Sequence, residues 1–282
     1  MTKKPDWLRI PCQNSSDTEH VEQIISEFSL NTVCSEAECP NRPECFSKKT
    51  ATFMILGKIC TRSCGFCGVS GGRPAPVDTG EPERIAQAVG KLGLNYAVIT
   101  SVTRDDLPDG GAGHFASVIR AVRLKCPDTR IEVLIPDFGG SDASLKTVTD
   151  AAPDVISHNM ETVESLYSSV RPQADYTRSL ALISKIRQSA PGIRTKSGFM
   201  LGLGEKRGEI LKLLDDLRTA GCELLTIGQY LSPTAAHLPV ARFVKPRDFI
   251  AYKMIAKEKG FSHAASAPLQ RSSYNAGEMF EH

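Results

Sequence analysis

The spacing of the cysteines constrains this chain more than any other feature. Six of the 9 cysteines lie between Cys34 and Cys67, in two groups of three. The remaining ones are scattered, and we expect Cys12, Cys126 and Cys222 to pack as small buried or half-buried residues. An odd total argues against a closed disulfide framework, and clustered cysteines in a chain without a secretory signal indicate metal binding. The pattern therefore predicts metal centres.

The second group, Cys60-Thr-Arg-Ser-Cys64-Gly-Phe-Cys67, has the spacing C-x3-C-x2-C. Three closely spaced thiolates can hold three corners of an iron–sulfur cubane, whereas a plain electron-transfer ferredoxin has a fourth cysteine. No fourth cysteine follows Cys67. Zinc is the alternative, but structural zinc sites take four ligands. The motif predicts a cluster with one iron left open, as catalysis requires.

The first group consists of Cys34, Cys39 and Cys45, with the spacing C-x4-C-x5-C. Taken alone, it is compatible with zinc or with structural cysteines. Beside the C-x3-C-x2-C motif, a second cluster is the better interpretation. It too offers only three thiolates, so its fourth ligand must come from elsewhere in the chain.

Composition excludes little. The net charge is +2, with 23% charged and 41% hydrophobic residues, which is ordinary for a globular protein. We therefore expect neither nucleic acid nor a membrane surface as a partner. The N-terminus has no apolar signal region, and no apolar run approaches the roughly 20 residues of a membrane span. We expect a cytoplasmic protein, or an organellar one if a presequence has been removed.

Short apolar runs alternate with helical patterns from residue 51 onward. Six such runs have the length of buried strands: 51–56, 96–100, 131–135, 155–158, 198–203 and 224–229. The alternation predicts an α/β fold of βαβ units, closed into a barrel or partial barrel or laid out as a doubly wound open sheet. We expect an N-terminal extension at 1–50, a core at 51–245 and a C-terminal helix and tail at 246–282, with both extensions wrapping the core.

The C-x3-C-x2-C motif, with Phe66 before its last cysteine and a strand before its first, resembles the signature of the radical SAM superfamily. The resemblance implies a partial (β/α)6 TIM-type barrel with its site at the carboxyl ends of the strands. It also implies that the open iron binds S-adenosylmethionine. One-electron cleavage then gives methionine and a 5′-deoxyadenosyl radical, which removes hydrogen from the substrate.

Within that superfamily the chain resembles the lipoyl synthase family. Besides both cysteine groups, the similarity covers segments 101–112, 159–163, 196–205, 225–231 and the Arg-Ser-Ser-Tyr motif at 271–274. It implies a sulfurtransferase that inserts two sulfur atoms, at C6 and C8, into an octanoyl group on a lysine of a carrier domain. It further implies a carrier of the E2-subunit or glycine-cleavage H-protein type, and an electron donor such as ferredoxin or flavodoxin.

The resemblance also implies roles for single residues. Cys60, Cys64 and Cys67 would hold the [4Fe–4S] cluster that binds S-adenosylmethionine. A second, sacrificial [4Fe–4S] cluster would be held by Cys34, Cys39, Cys45 and Ser273. Five residues that we place at or near the carboxyl ends of strands are expected to contact S-adenosylmethionine or the substrate: Ser101, Asn159, Glu161, Lys196 and Gln229.

Two alternatives remain at this point. A biotin-synthase-like or methylthiotransferase-like enzyme would share the radical chemistry, and a two-cluster electron carrier would have none. The early cysteine group and the Arg-Ser-Ser-Tyr motif disfavour the first, and the missing fourth cysteines disfavour the second. The chain also departs from the family pattern, since Lys58, Ser63 and Gly65 stand where an acidic residue, arginine and proline are usual.

Overall fold

The computed structural model describes residues 4–9, 16–48 and 50–280, which divide into two compact units. The N-terminal unit comprises residues 16–48, 50–63 and 68–157. The C-terminal unit comprises residues 4–9, 64–67 and 158–280. The three segments expected from the sequence (1–50, 51–245 and 246–282) stay a prediction. None of the helices in the described ranges has the length and apolar character of a membrane span.

The N-terminal unit contains four parallel strands in chain order. They are β1 (Thr52–Ile55), β2 (Tyr96–Ser101), β3 (Arg130–Leu134) and β4 (Val155–Ser157). Phe53, Ile99, Val133 and Ile156 pair in register across all four strands, and each is fully buried. Apolar strands covered on both faces are typical of parallel sheets flanked by helices.

Six helices belong to this unit. They are α1 (Ser16–Glu27), α2 (Val33–Glu36), α3 (Arg42–Ser47), α4 (Glu81–Leu92), α5 (Ala112–Lys125) and α6 (Asp142–Asp150). Helix α4 packs on α5, and α5 packs on α6. Ile85, Val89, Phe115 and Ile119 recur at helical spacing and are fully buried. A single 3-10 turn, Phe138–Gly140, follows β3.

The C-terminal unit contains three parallel strands and five helices. The strands are β5 (Arg194–Leu201), β6 (Leu224–Gln229) and β7 (His263–Ser266). The helices are α7 (Tyr167–Val170), α8 (Tyr176–Ser189), α9 (Arg207–Thr219), α10 (Pro246–Glu258) and α11 (Ala276–Phe280). Phe199 of β5 pairs with Ile227 of β6, and both pack in one apolar core with Leu214 and Phe249.

The predicted strands coincide with β1 to β4 and β6 to within about two residues. Strand β5 begins at Arg194, four residues before the predicted start at Gly198. Its first half is buried but polar, so an apolar run does not reveal it: Thr195, Lys196 and Ser197 are fully buried. Strand β7 is an addition to the six predicted strands, and its short sequence His-Ala-Ala-Ser lacks the β-branched residues that mark strands.

Two of the scattered cysteines pack as expected. Cys222 is buried and Cys126 is half-buried. Cys12 lies outside the described residues, and its expected packing stays a prediction.

Candidate active site

The loop after β1 carries Cys60 and folds back on itself. Leu56 has a left-handed φ of 68°, and its N–H donates to Oε2 of Glu81 at 2.8 Å. The N–H of Cys60 donates to the carbonyl of Ser70, and the N–H of Gly72 donates to the carbonyl of Cys60, both at 2.9 Å. A left-handed residue other than glycine is strained and persists only where its surroundings hold it, which happens most often at functional sites. The backbone around Cys60 is thus fixed by the protein's own hydrogen bonds.

Two backbone N–H groups point at the sulfur of Cys60. The donors are the N–H of Arg62, at 3.4 Å from Sγ, and the N–H of Thr103, at 3.3 Å. Hydrogen bonds to cysteine sulfur are among the features that set the reduction potential of an iron–sulfur cluster. The surroundings of this sulfur therefore fit a cluster thiolate.

Arg62 fixes the same loop through its side chain, which is 8% exposed. Its guanidinium donates to both carboxylate oxygens of Asp105, at 2.7 and 2.8 Å, and to Oδ1 of Asp137 at 2.7 Å. Burial alone would lower the pKa of Arg62, but the two carboxylates raise it above its ordinary value. Sequence reasoning missed this residue. The available signal was an arginine between two predicted cluster ligands, with acidic residues in the loop after β2.

Cys64 and Cys67 belong to the C-terminal unit, where they bracket a tight turn. The N–H of Cys67 donates to the carbonyl of Cys64 at 3.1 Å. Both side chains are half-buried. The turn keeps the two thiols on one short stretch of backbone, as a shared cluster would require.

The first cysteine group lies in the N-terminal unit. Cys34 is on α2, Cys45 is on α3, and Cys39 lies in the turn between them, where its N–H donates to the carbonyl of Cys34 at 3.1 Å. Burial raises the pKa of Cys45 to about 12, and the neighbouring thiols of Cys34 and Cys39 add to the increase. Burial, with a contribution from Cys39, also raises the pKa of Cys34. Such mutual effects require that the three thiols lie near one another.

Beyond the end of β4, Asn159 and Glu161 form one polar network. Nδ2 of Asn159 donates to Oε1 of Glu161 at 3.0 Å, and the hydroxyl of Ser272 donates to Oδ1 of Asn159 at 3.3 Å. Glu161 also has a left-handed φ of 65°. Burial raises its pKa, although the charges of Arg171 and Arg271 and the bond from Asn159 act in the opposite direction. Within the C-terminal unit, the network joins the Arg-Ser-Ser-Tyr motif to Asn159 and Glu161.

The tail that carries Ser273 is held by hydrogen bonds to its backbone carbonyls. Nε2 of Gln270 donates to the carbonyls of Arg271 and Tyr274, at 2.9 and 3.1 Å. Gly228 of β6 lies directly against the carbonyl of Gln270, where a side chain of any size would clash. This close approach requires glycine at 228. Ser273 itself is half-buried.

The other predicted contacts with S-adenosylmethionine lie in different settings. Ser101 ends β2, and its hydroxyl oxygen is buried without a hydrogen-bond partner among the described residues. Lys196 is the third residue of the eight-residue strand β5, so its predicted place near a carboxyl end was wrong. Gln229 ends β6, but its amide already binds the backbone of Tyr230, Arg242 and Val244. Gln229 therefore tethers the segment that follows β6.

In the part of the chain that the structure describes, no three Cys, His, Asp or Glu side chains converge as the ligands of a single metal ion do. Cluster thiolates bind separate irons at separate corners and need no such convergence.

Comparison with known proteins decides the family. Residues 54–217 match the model of the Radical SAM superfamily. The chain is 53% identical over 279 residues to a lipoyl synthase of Alkaliphilus metalliredigens (strain QYMF), covering 99% of this chain and 96% of that protein. The chain belongs to the lipoyl synthase family. A lipoyl synthase of Caldicellulosiruptor bescii is 55% identical over 274 residues, covering 97% of this chain and 94% of that protein.

The fold class agrees with that family. The crystal structure of methylornithine synthase (PylB) matches with a TM-score of 0.55 at 12% identity, covering 93% of this chain and 81% of that chain. At so low an identity the match speaks for the fold alone. Together with the superfamily model it confirms the predicted α/β fold of the partial TIM-barrel type.

Proposed function

We propose that this protein inserts sulfur at C6 and C8 of an octanoyl group, held in amide linkage on a lysine of a carrier domain, to give a lipoyl group. Its cofactors are S-adenosylmethionine and [4Fe–4S] clusters, as membership in the family implies. The C–H bonds of an octanoyl chain have neither an acidic proton nor a leaving group, so acid–base catalysis cannot activate them. When bound, the cluster and S-adenosylmethionine supply the radical that removes these hydrogens.

A single observation carries the proposal. The chain matches lipoyl synthases over 99% of its length, so the matched span contains the early cysteine group as well as the radical SAM motif. The proximity of Cys34, Cys39 and Cys45 gives that early group a physical basis.

We assign the two sets of ligands as follows. Cys60, Cys64 and Cys67 hold the cluster that binds S-adenosylmethionine and leave one iron open. Cys34, Cys39, Cys45 and Ser273 would hold the second cluster, which would supply the sulfur that is inserted. A serine oxygen is a harder ligand for iron than a thiolate, so the corner held by Ser273 is the easiest to release.

Contacts with S-adenosylmethionine are proposed for Ser101, Asn159, Glu161, Lys196 and Gln229. Glu161 is supported best, because its carboxyl group is desolvated more than its neighbours compensate. A cationic ligand, such as the amino group or the sulfonium of S-adenosylmethionine, would stabilise the ionised carboxylate. The buried hydroxyl of Ser101 offers a donor or acceptor that the described residues leave unused. Oε1 of Gln229 accepts one hydrogen bond from the N–H of Val244, and an amide oxygen can accept a second one from a ligand.

The partners follow from the reaction. The acyl carrier is a lipoyl-bearing domain of the E2-subunit or glycine-cleavage H-protein type. A ferredoxin or flavodoxin supplies electrons, and neither nucleic acid nor a membrane takes part. We propose the cytoplasm as the location of the protein.

The test is an anaerobic one. The protein is reconstituted, its iron and sulfide are counted, and S-adenosylmethionine, a reductant and an octanoylated carrier domain are added before the carrier is weighed by mass spectrometry. About eight irons per chain and a carrier that has gained two sulfurs are expected for two cubanes. Cleavage of S-adenosylmethionine with an unchanged carrier would point to another substrate. Zinc in place of iron would refute both clusters.

A further inference from the structure

The segment that follows β6 lies against the turn that carries Cys64 and Cys67. We call residues 230–238 the clasp. It and the turn belong to the same unit, yet they are more than 160 residues apart in sequence. The clasp forms hydrogen bonds with the turn at more than one point. These bonds fix the position of the turn relative to the clasp, and not only the distance between the two segments.

His237 makes the first of these contacts. Its Nε2 lies 3.0 Å from the carbonyl oxygen of Cys67, and its Nδ1 lies 2.8 Å from the hydroxyl of Thr234. A carbonyl oxygen only accepts, so Nε2 must carry a proton. In the neutral ring Nδ1 then accepts from the Thr234 hydroxyl, which fixes both the tautomer and the ring orientation.

Leu238 makes the second contact. Its N–H donates to the carbonyl of Gly65 at 3.0 Å, while the N–H of Gly65 donates to the carbonyl of Val170 at 2.9 Å. The side chain of Leu238 covers the α-carbon of Gly65, where an added Cβ would lie 2.9 Å from Leu238 Cγ and Cδ1. A proline at 65 could not donate to Val170, so this chain holds the turn by hydrogen bonds at the position where the family pattern has a rigid ring.

The clasp is itself anchored in the core of the unit. The hydroxyl of Tyr230, a residue that is 1% exposed, donates to the carbonyl of Leu238 at 2.7 Å. The N–H of Tyr230 donates to the carbonyl of Leu201 at the end of β5, at 2.8 Å. The buried Tyr230 therefore connects the clasp, and through it the turn, to the end of β5.

We propose that His237 is a positioning residue that, together with Leu238, holds Cys64 and Cys67 at the separation that the cluster needs. The inference rests on the proposed role of both cysteines as cluster ligands, and it deepens that role. Three hydrogen bonds span residues 65–67, so the backbone on both sides of Phe66 is held. Loss of the bond from His237 removes one side-chain hydrogen bond from the carbonyl of Cys67, the last cysteine of the motif.

The test compares His237→Ala with His237→Gln in the full-length protein, because the glutamine amide can donate to the Cys67 carbonyl in place of Nε2. His20→Ala is the matched control, since His20 is exposed on α1. In metal-free protein, hydrogen exchange of the Cys64–Cys67 turn is measured by mass spectrometry. One lost hydrogen bond of about 1 kcal/mol corresponds to exchange roughly fivefold faster in His237→Ala. His237→Gln and His20→Ala should exchange like the wild type.

The second readout uses reconstituted protein. We expect His237→Ala to release iron to a chelator several-fold faster, and to show a weakened change in the electron paramagnetic resonance spectrum of the reduced cluster on addition of S-adenosylmethionine. His237→Gln should restore both. A second pair of variants keeps the test valid if His237→Ala misfolds. Gly65→Ala should weaken the turn, because its added Cβ clashes with the side chain of Leu238. Adding Leu238→Ala to Gly65→Ala should relieve that clash.

Equal exchange and iron release in wild type and His237→Ala, or failure of His237→Gln to improve on alanine, would overturn the inference alone. A wild-type protein that takes up no iron at Cys64 and Cys67 would overturn the proposed function, and the inference with it. The two failures are distinguishable because the second is already visible without any substitution.

Discussion

Nη2 of Arg62 lies 2.7 Å from Oδ1 of Asp137, and both side chains are almost completely buried. The two residues are 75 positions apart in sequence. Arg62 stands two residues after Cys60, while Asp137 lies just beyond β3 and accepts the N–H of Gly139 at 3.2 Å. The ion pair therefore secures the predicted cluster loop to the end of a core strand.

Breaking this pair should destabilise the metal-free protein. Arg62→Met leaves the carboxylate of Asp137 buried without its cation, and removing one partner of a buried ion pair costs about 3 to 5 kcal/mol. Urea denaturation followed by circular dichroism measures the change. Adding Asp137→Asn to Arg62→Met removes the buried charge and should recover part of the loss. Arg73→Met is the control because Arg73 is exposed. An Arg62→Met protein as stable as that control would contradict the role of the pair.

Cys45 should react slowly in the metal-free protein. The pKa of Cys45 is raised to about 12, first by burial and then by Cys34 and Cys39. At pH 8 only about one molecule in ten thousand then carries the Cys45 thiolate, which is the reactive form. The rate of alkylation by iodoacetamide, followed by mass spectrometry, should rise about tenfold for each pH unit from 8 to 11. Cys34→Ala should speed it, and a plateau near pH 9 would refute the shift.

The same shift has a consequence for stability. Because the pKa of Cys45 in the folded protein lies above the ordinary value of 9.0, its contribution is fully present below about pH 9. That contribution is lost as the pH rises toward 12. Thermal unfolding of metal-free protein should therefore occur at lower temperature as the pH increases over this range, and less steeply so in Cys45→Ala.

Replacing Glu161 by glutamine should stabilise the metal-free protein at pH 8. Burial raises the pKa of Glu161 above its ordinary value of 4.5, so its contribution to stability is present below pH 4.5 and is lost as the pH rises through the folded-state pKa. Glu161→Gln cannot ionise and escapes that loss. Urea denaturation at pH 8 and at pH 4.5 should show a gain at the first pH that disappears at the second. Glu164→Gln, on an exposed side chain, should show no gain at either pH, and a destabilised Glu161→Gln at pH 8 would contradict the prediction.

Replacing Ser273 by cysteine should uncouple the two halves of the reaction. A fourth thiolate holds the second cluster more firmly than an oxygen ligand, so we expect cleavage of S-adenosylmethionine to continue while lipoyl product falls at least tenfold. Product is counted by mass spectrometry of the carrier in a single turnover. Ser272→Cys is the matched control, because Ser272 donates to Asn159 and is assigned no iron. Normal sulfur insertion by Ser273→Cys would refute the assignment of Ser273 as a ligand.

The sequence by itself determined the chemistry and most of the secondary structure. Cysteine spacing is a local property, so the sequence alone is enough to predict an open cluster at Cys60, Cys64 and Cys67, and this assignment stays a prediction. All six predicted strands come from apolar runs, which report burial directly, and five of them coincide with observed strands to within about two residues. The early start of β5 and the whole of β7 escaped because their residues are polar or small, and such residues carry no hydrophobic signal even when they are buried.

Only the tertiary structure decided how the predicted ligands are held. Arg62 meets Asp137, and His237 meets the carbonyl of Cys67, across 75 and 170 positions of chain. Hydrogen bonds act over about 3 Å, and which distant groups come that close depends on the packing of strands and helices and not on their order. The same holds for Gln229, whose amide binds backbone groups that no sequence pattern identifies as its partners.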